Sequence, residues 1–109
     1  MNYLIVGSRS ITDFDLRPYI GNDAELIISG GASGVDSLAE AFADKNKISK
    51  LIIYPDYKKY GKFAPLKRNE IMVELADTVI IVWDGKSKGT KYTIEYAKRR
   101  NKKITLLSP

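Results

Sequence analysis

The chain has 109 residues, enough for one domain around a single core. It contains no cysteine and no histidine, which excludes a disulfide framework, thiolate and Ser-His-Asp or Cys-His catalysis, and the usual zinc sites. The net charge of +5 divides into −2 over residues 1–54 and +7 over residues 55–109; that basic half suits an anionic partner, although lysines on solvated faces produce the same excess.

Taken in chain order, Asn2–Val6 is apolar and β-rich and ends at Gly7. It lacks the basic start and cleavage site of a signal peptide, so it reads as a first strand and the expected location is cytoplasmic. Asp13–Ile20 reads as a short helix capped by Thr12 or Asp13, with Pro18 keeping it brief. Glu25–Ser29 is a second apolar strand. From Ser33 to about Asn46, Val35, Leu38, Ala39, Phe42 and Ala43 recur at helical spacing. Lys50–Tyr54 is a third strand, Pro55–Pro65 a polar, tyrosine-rich loop, and Leu66–Ala76 a helix. Thr78–Trp83 is a fourth strand whose apolar run is far too short to cross a bilayer, so no membrane partner is expected. Thr90–Asn101 is a helix and Lys103–Leu107 a fifth strand.

Continuous apolar strands alternating with helices predict an α/β fold. The architecture is a Rossmann-like, doubly wound, five-stranded parallel sheet with helices on both faces, in one domain over residues 1–109. Ligands of such sheets bind beyond the carboxyl ends of the strands, where strand order reverses. The segments on that edge are Gly7-Ser8-Arg9-Ser10, Ser29-Gly30-Gly31-Ala32-Ser33-Gly34, the stretch around Tyr57 and Tyr60, and Asp84-Gly85-Lys86-Ser87-Lys88-Gly89-Thr90. Arg68 and Asn69 open the helix after the third strand.

These loops suit an anion. Helix starts present unpaired N–H groups and a positive dipole end, and glycine admits a phosphate to the backbone. Arg9 and Arg68 add forked donors, Asp36 or Asp84 would accept from ribose hydroxyls, and tyrosines would stack a base. Each piece also has a plain structural use. Glycines make turns, Asp36 suits a first helical turn, and Thr90 suits an N-cap. Two known phosphate loops are absent. Gly7-Ser8-Arg9 is not G-x-G-x-x-G, and Ile80 stands where a Walker A loop before Gly85-Lys86-Ser87 needs glycine. No carboxylate cluster asks for Mg²⁺, and neither a metal nor a cofactor is expected.

The pattern resembles the SLOG superfamily, named for DNA-processing protein A and the lonely-guy enzymes, and in particular its small stand-alone members of the YspA and YpsA-related type. The resemblance rests on four pieces in family order: Gly7-Ser8-Arg9, Ser29 to Asp36, Pro55 to Met72 (with Tyr60-Gly61-Lys62, Ala64-Pro65 and Arg68-Asn69), and Gly89-Thr90. It implies a pocket for nucleotides or nucleotide-derived molecules, ADP-ribose-like ligands included. The residues so implied are Gly7, Ser8, Arg9, Gly30, Gly31, Ala32, Gly34, Asp36, Arg68, Asn69, Gly89 and Thr90. Ser29, Ser33, Tyr57, Asp84, Ser87 and Lys88 join them from the same loops.

Three functions follow. The leading one is binding of a small phosphate-bearing nucleotide derivative, to sense or sequester it, with the chain expected to act as a homo-oligomer and, as for relatives beside antiviral systems, in conflict between phage and bacterium. The second is a lonely-guy-type phosphoribohydrolase acting on nucleoside monophosphates. Arg68 and Met72 match that motif, but Thr93 stands at its glutamate position and Glu95, the substitute carboxylate, points about 200° around a helix. The third is single-stranded DNA binding as in DNA-processing protein A, using Tyr57, Lys58, Lys59, Tyr60 and Lys62.

Overall fold

A computed structural model describes all residues, 1–109. Five parallel strands, β1 (Asn2–Gly7), β2 (Leu26–Ser29), β3 (Ser49–Ile52), β4 (Thr78–Val82) and β5 (Lys103–Leu107), form one sheet in the order β3-β2-β1-β4-β5. The register runs Tyr3–Thr78 to Gly7–Val82 between β1 and β4. The two central strands are the most apolar runs and the most buried, because helices cover both of their faces. Edge strand β3 carries Ser49 and Lys50 and is largely exposed.

Helix α1 (Val35–Lys45) covers one face, burying Val35, Ala39 and Ala43 against Ile5, Ile27, Ile80 and Val82. Helices α3 (Ala64–Leu75) and α4 (Lys88–Arg99) cover the other, with Met72, Val73, Ile94 and Ala97 against Leu4, Ile28, Val79 and Ile81. The chain leaves β1 toward β2 and β3 with its first crossovers on the α1 face, then returns to β4 and β5 on the opposite face. The reversal lies between β1 and β4, and it opens a crevice at their carboxyl ends. No helix is long and apolar enough to cross a membrane.

Three expectations need correction. Asp13–Ile20 is not a helix but an irregular segment with one 3-10 turn at Arg17–Tyr19. Pro18 supplies no N–H there, and Asp15 holds the Arg17 amide at 3.0 Å and the Arg17 guanidinium at 2.9 Å, a local structure that competes with helix. Pro55–Pro65 is not an open loop. Asp56 Oδ1 accepts from the Lys59 amide at 3.1 Å and caps the short helix α2 (Tyr57–Tyr60), a 3-10 turn follows at Gly61–Phe63, and Pro65 sits in the first turn of α3. Helix α4 begins at Lys88 rather than Thr90, because Ser87 is its N-cap and accepts from the Thr90 amide.

Candidate functional site

The crevice holds a cavity of about 480 Å³, within the range of small-molecule sites. Its walls come from four places: Gly7, Arg9 and Ser10 after β1; Ala32 and Asp36 at the start of α1; Pro65, Leu66, Arg68, Asn69 and Met72 on α3; and Asp84, Ser87, Gly89, Thr90 and Thr93 around the start of α4. The loops after β1 and β4 are locked together. The Ser8 amide donates to Val82 O at 3.0 Å, and Ser8 Oγ accepts from the Asp84 amide at 2.9 Å.

The basic side of the cavity is Arg9 and Arg68. Arg68 is half-buried and reaches across the ends of two strands. Its Nη1 donates to Gly30 O at 2.6 Å and to Ile53 O at 3.2 Å, and its Nε donates to Asn69 Oδ1 at 2.9 Å. Three bonds hold the plane of the guanidinium and leave Nη2 without a protein acceptor. Burial pulls this group below its usual pKa, while Asp36 opposes the shift and Arg9 adds to it. Arg9 is exposed, lines the cavity and makes no ion pair within the chain. Two like charges beside one cavity, neither in an ion pair within the chain, favour an anion there.

Asp36 is the buried acid of the site, 5% exposed. Its Oδ2 accepts from the Ala32 amide at 3.2 Å. Burial pushes its carboxyl above the usual range, against the Ala32 N–H bond and the attraction of Arg68. The folded protein therefore keeps this proton to a higher pH than the unfolded chain does. In the window from the ordinary carboxylate pKa of 3.8 up to the raised value, stability falls as pH rises. Asp36→Asn cannot ionise and is expected to flatten that limb in a series of melts from pH 3 to 7, estimated as roughly one carboxylate's titration range. The same variant should lose ligand affinity, since an amide is a weaker acceptor for a hydroxyl than a carboxylate.

Asp84 is differently placed. Its Oδ1 accepts from the Lys86 amide at 2.8 Å and the Ser87 amide at 3.1 Å, and its Oδ2 from Ser10 Oγ at 3.1 Å. Those amide bonds lower its pKa to about 2. The carboxylate thus shapes the turn into α4 and has little accepting capacity left. On α4, Thr90 Oγ1 donates to Ser87 Oγ at 3.1 Å and Thr93 Oγ1 to Gly89 O at 3.1 Å.

Of the residues singled out in the sequence, Gly7, Arg9, Ala32, Asp36, Arg68, Asn69, Asp84, Ser87, Gly89 and Thr90 come together around the cavity. Ser8, Ser29, Gly30, Gly31, Ser33, Gly34, Tyr57 and Lys88 do not line it. Their parts are structural where contacts exist. Ser29 Oγ accepts from the Gly31 amide at 3.3 Å. A side chain on Gly30 would put its Cβ 2.8 Å from Arg68 Nη1, so this glycine lets Arg68 reach the strand end. Gly34 has φ +73°, and its Cβ would lie 2.4 Å from Ser8 O. Much of the glycine run after β2 therefore serves to nest loops against one another, and the Gly31 and Ala32 amides already have acceptors. Glu95 is exposed and away from the cavity; Thr93 occupies the position where the lonely-guy pattern has its glutamate. Val6, Ser10, Pro65, Leu66, Met72 and Thr93 line the cavity without being among the expected site residues. Ser10 belonged to a loop already marked, whereas Leu66 and Thr93 depend on how α3 and α4 are rotated.

No family model matches the chain. It is similar to the uncharacterized SPbeta prophage-derived protein YoqJ of Bacillus subtilis strain 168, at 36% identity over 59 residues, which is 51% of this chain and 30% of that protein. Among solved structures it is similar to DNA processing protein A (DprA) from Streptococcus pneumoniae, with a TM-score of 0.74 and 19% identity. That match covers 96% of this chain, which spans about half (49%) of the DprA chain. The fold is thus the Rossmann-like sandwich of DNA processing protein A, as the resemblance implied.

Proposed function

We propose that this protein is a SLOG-type binder of a small phosphate-bearing nucleotide derivative, such as an ADP-ribose-like or cyclic molecule, in the cavity between β1 and β4. The observation that carries the reading is the pair Arg9 and Arg68, neither in an ion pair and the second held in plane with Nη2 free, with the buried Asp36 carboxyl beside Arg68. A phosphate suits the two arginines, and Asp36 is the remaining acceptor for ribose hydroxyls because Asp84 is occupied by its own turn. The wall of Val6, Pro65, Leu66 and Met72 supplies an apolar surface for a base. Sequestration or sensing accounts for such a site better than hydrolysis, since no carboxylate stands at Thr93. The prophage origin of YoqJ favours a setting of conflict between phage and bacterium.

Native mass spectrometry after incubation with ADP-ribose, AMP and cyclic nucleotides tests the reading. One ligand per chain, recovered intact on denaturation, is the expected result. Free base in the supernatant would instead support phosphoribohydrolase activity. Exposed Tyr54, Tyr57 and Phe63 beside Lys58, Lys59 and Lys62 favour a second reading, single-strand binding on that surface. Retention of oligothymidylate, with affinity falling steeply as salt rises, would support it over the cavity.

A further inference from the structure

We propose that the cavity takes up its phosphate-bearing ligand together with a proton, which Asp36 receives. This rests on the nucleotide-binding reading of the cavity and adds to it a control by pH. Asp36 is 5% exposed and forms part of the cavity wall. Its burial is thinly compensated. The Ala32 amide donates to Oδ2 at 3.2 Å, the Gly30 amide adds a weaker attraction, and no lysine or arginine forms an ion pair with the carboxyl. Arg68 acts on it without touching it. A Cβ built on Gly30 would lie 2.8 Å from Arg68 Nη1 and 2.9 Å from Asp36 Oδ2, so the two groups face each other across the bare side of this glycine.

The charges around the acid set the sign of the coupling. Arg68 on α3 favours the carboxylate, and Glu40, one turn further along α1, opposes it. Glu40 itself accepts from the buried Ser29 Oγ at 3.3 Å. Arg9 after β1 and Asp84 after β4 line the same cavity, and Asp84 stays ionised because the Lys86 and Ser87 amides lower its pKa to about 2. A phosphate held by Arg9 and the free Nη2 of Arg68 engages the cation that favours the Asp36 carboxylate. It also brings a like charge toward that carboxylate. Both changes favour the protonated form. Anion and proton therefore bind better together than apart, and each raises the affinity for the other by the same factor. The liganded cavity keeps the Asp36 proton to a higher pH than the empty one. Affinity for the anion thus rises as pH falls through the liganded value, and it levels off below the empty one, which burial already holds above 3.8. A protonated carboxyl still accepts through one oxygen and donates through the other, so it can meet a ribose hydroxyl or a phosphate oxygen.

ADP-ribose is the probe, because its diphosphate stays fully charged where the terminal phosphate of AMP titrates, at a pKa of about 6. Calorimetric titration at about pH 5.5, in buffers of different ionisation enthalpy, counts the protons taken up per ligand in the range just above an ordinary carboxylate. The wild-type protein is expected to take up a sizeable fraction of one proton. Its Kd should fall about 3–10-fold from about pH 7.5 to about pH 5.5, a tenfold change being one unit of pKa. Asp36→Asn, whatever affinity it loses, should take up no proton and bind equally at the two pH values, while Glu40→Gln keeps the uptake. Without any variant, the Asp36 carboxyl carbon followed by NMR should titrate with a higher midpoint when ADP-ribose is bound. Binding without proton uptake, uptake that survives in Asp36→Asn, or an unmoved midpoint overturns the inference and leaves the nucleotide-binding reading intact. A wild-type protein that binds none of ADP-ribose, AMP and the cyclic nucleotides at either pH removes both.

Discussion

Gly34→Ala is expected to lower the melting temperature by about 10–25 °C, from a loss of about 3 kcal/mol or more. Gly34 stands at the N-cap of α1 with φ +73° and ψ −128°, a conformation that a side chain strongly disfavours. A Cβ there would also lie 2.4 Å from Ser8 O and 2.5 Å from Arg9 O. Both neighbours are backbone, and the Ser8 carbonyl is held by the Val35 amide, so relief would require moving the whole loop after β1. Gly89→Ala is the instructive contrast. Its Cβ would meet nothing within 4 Å and the residue lies in the first turn of α4, so its melting temperature should hold or rise. Gly89 nevertheless lines the cavity. If a phosphate approaches its backbone, Gly89→Ala weakens binding while leaving the fold intact. Thermal melts and ligand titrations on the two variants separate a turn glycine from a ligand-approach glycine.

The second large effect divides the two arginines. Arg9→Ala is expected to leave the melting temperature unchanged, because Arg9 makes no ion pair within the chain. It should reduce affinity for a phosphate-bearing ligand about 10–100-fold, the worth of a lost charge-assisted contact. Arg68→Ala should damage both properties. It removes the donor that satisfies Gly30 O and Ile53 O at the ends of β2 and β3, at a cost of about 2–4 kcal/mol. It also removes the free Nη2 edge. Arg68→Lys is not a conservative repair, since an ammonium group lacks the planar fork that spans Gly30 O, Ile53 O and Asn69 at once. Melting curves read the structural loss and titration reads the functional one, so the variants differ in kind as well as degree.

The strands were legible because each central one is an apolar run bounded by glycine or a polar turn. Thr78–Val82 shows this best, with every residue buried. The parallel order followed from the alternation of strand and helix, and the cavity's position followed from the parallel order. Local chemistry was harder to read. At Asp15 and Asp56 one carboxylate decides between helix and turn through bonds to amides two or three residues on, and the apolar pattern carries no trace of it. In the sequence the glycine run after β2 fits a ligand cradle and a turn equally. Its neighbours decide much of it: Gly30 admits Arg68, thirty-eight residues away in the chain, and Gly34 admits the loop after β1. Asp36 and Asp84 looked equivalent in the sequence. The bonds around each acid show that Asp84 is taken up by its own turn, whereas Asp36 is buried in the cavity wall near Arg68 with its Oδ2 accepting from the Ala32 amide.

Isothermal titration of ADP-ribose into the wild-type protein and into Arg9→Ala probes the cavity itself, because Arg9 makes no ion pair whose loss would disturb the fold. Saturable binding of one molecule per wild-type chain is expected, at least tenfold weaker in a variant that melts at the same temperature, following the loss of one charge-assisted contact at about 1.4 kcal/mol per tenfold. Equal affinity in the two proteins, or no heat with ADP-ribose, AMP or a cyclic nucleotide in the wild type, would rule out an anion site built on the two arginines.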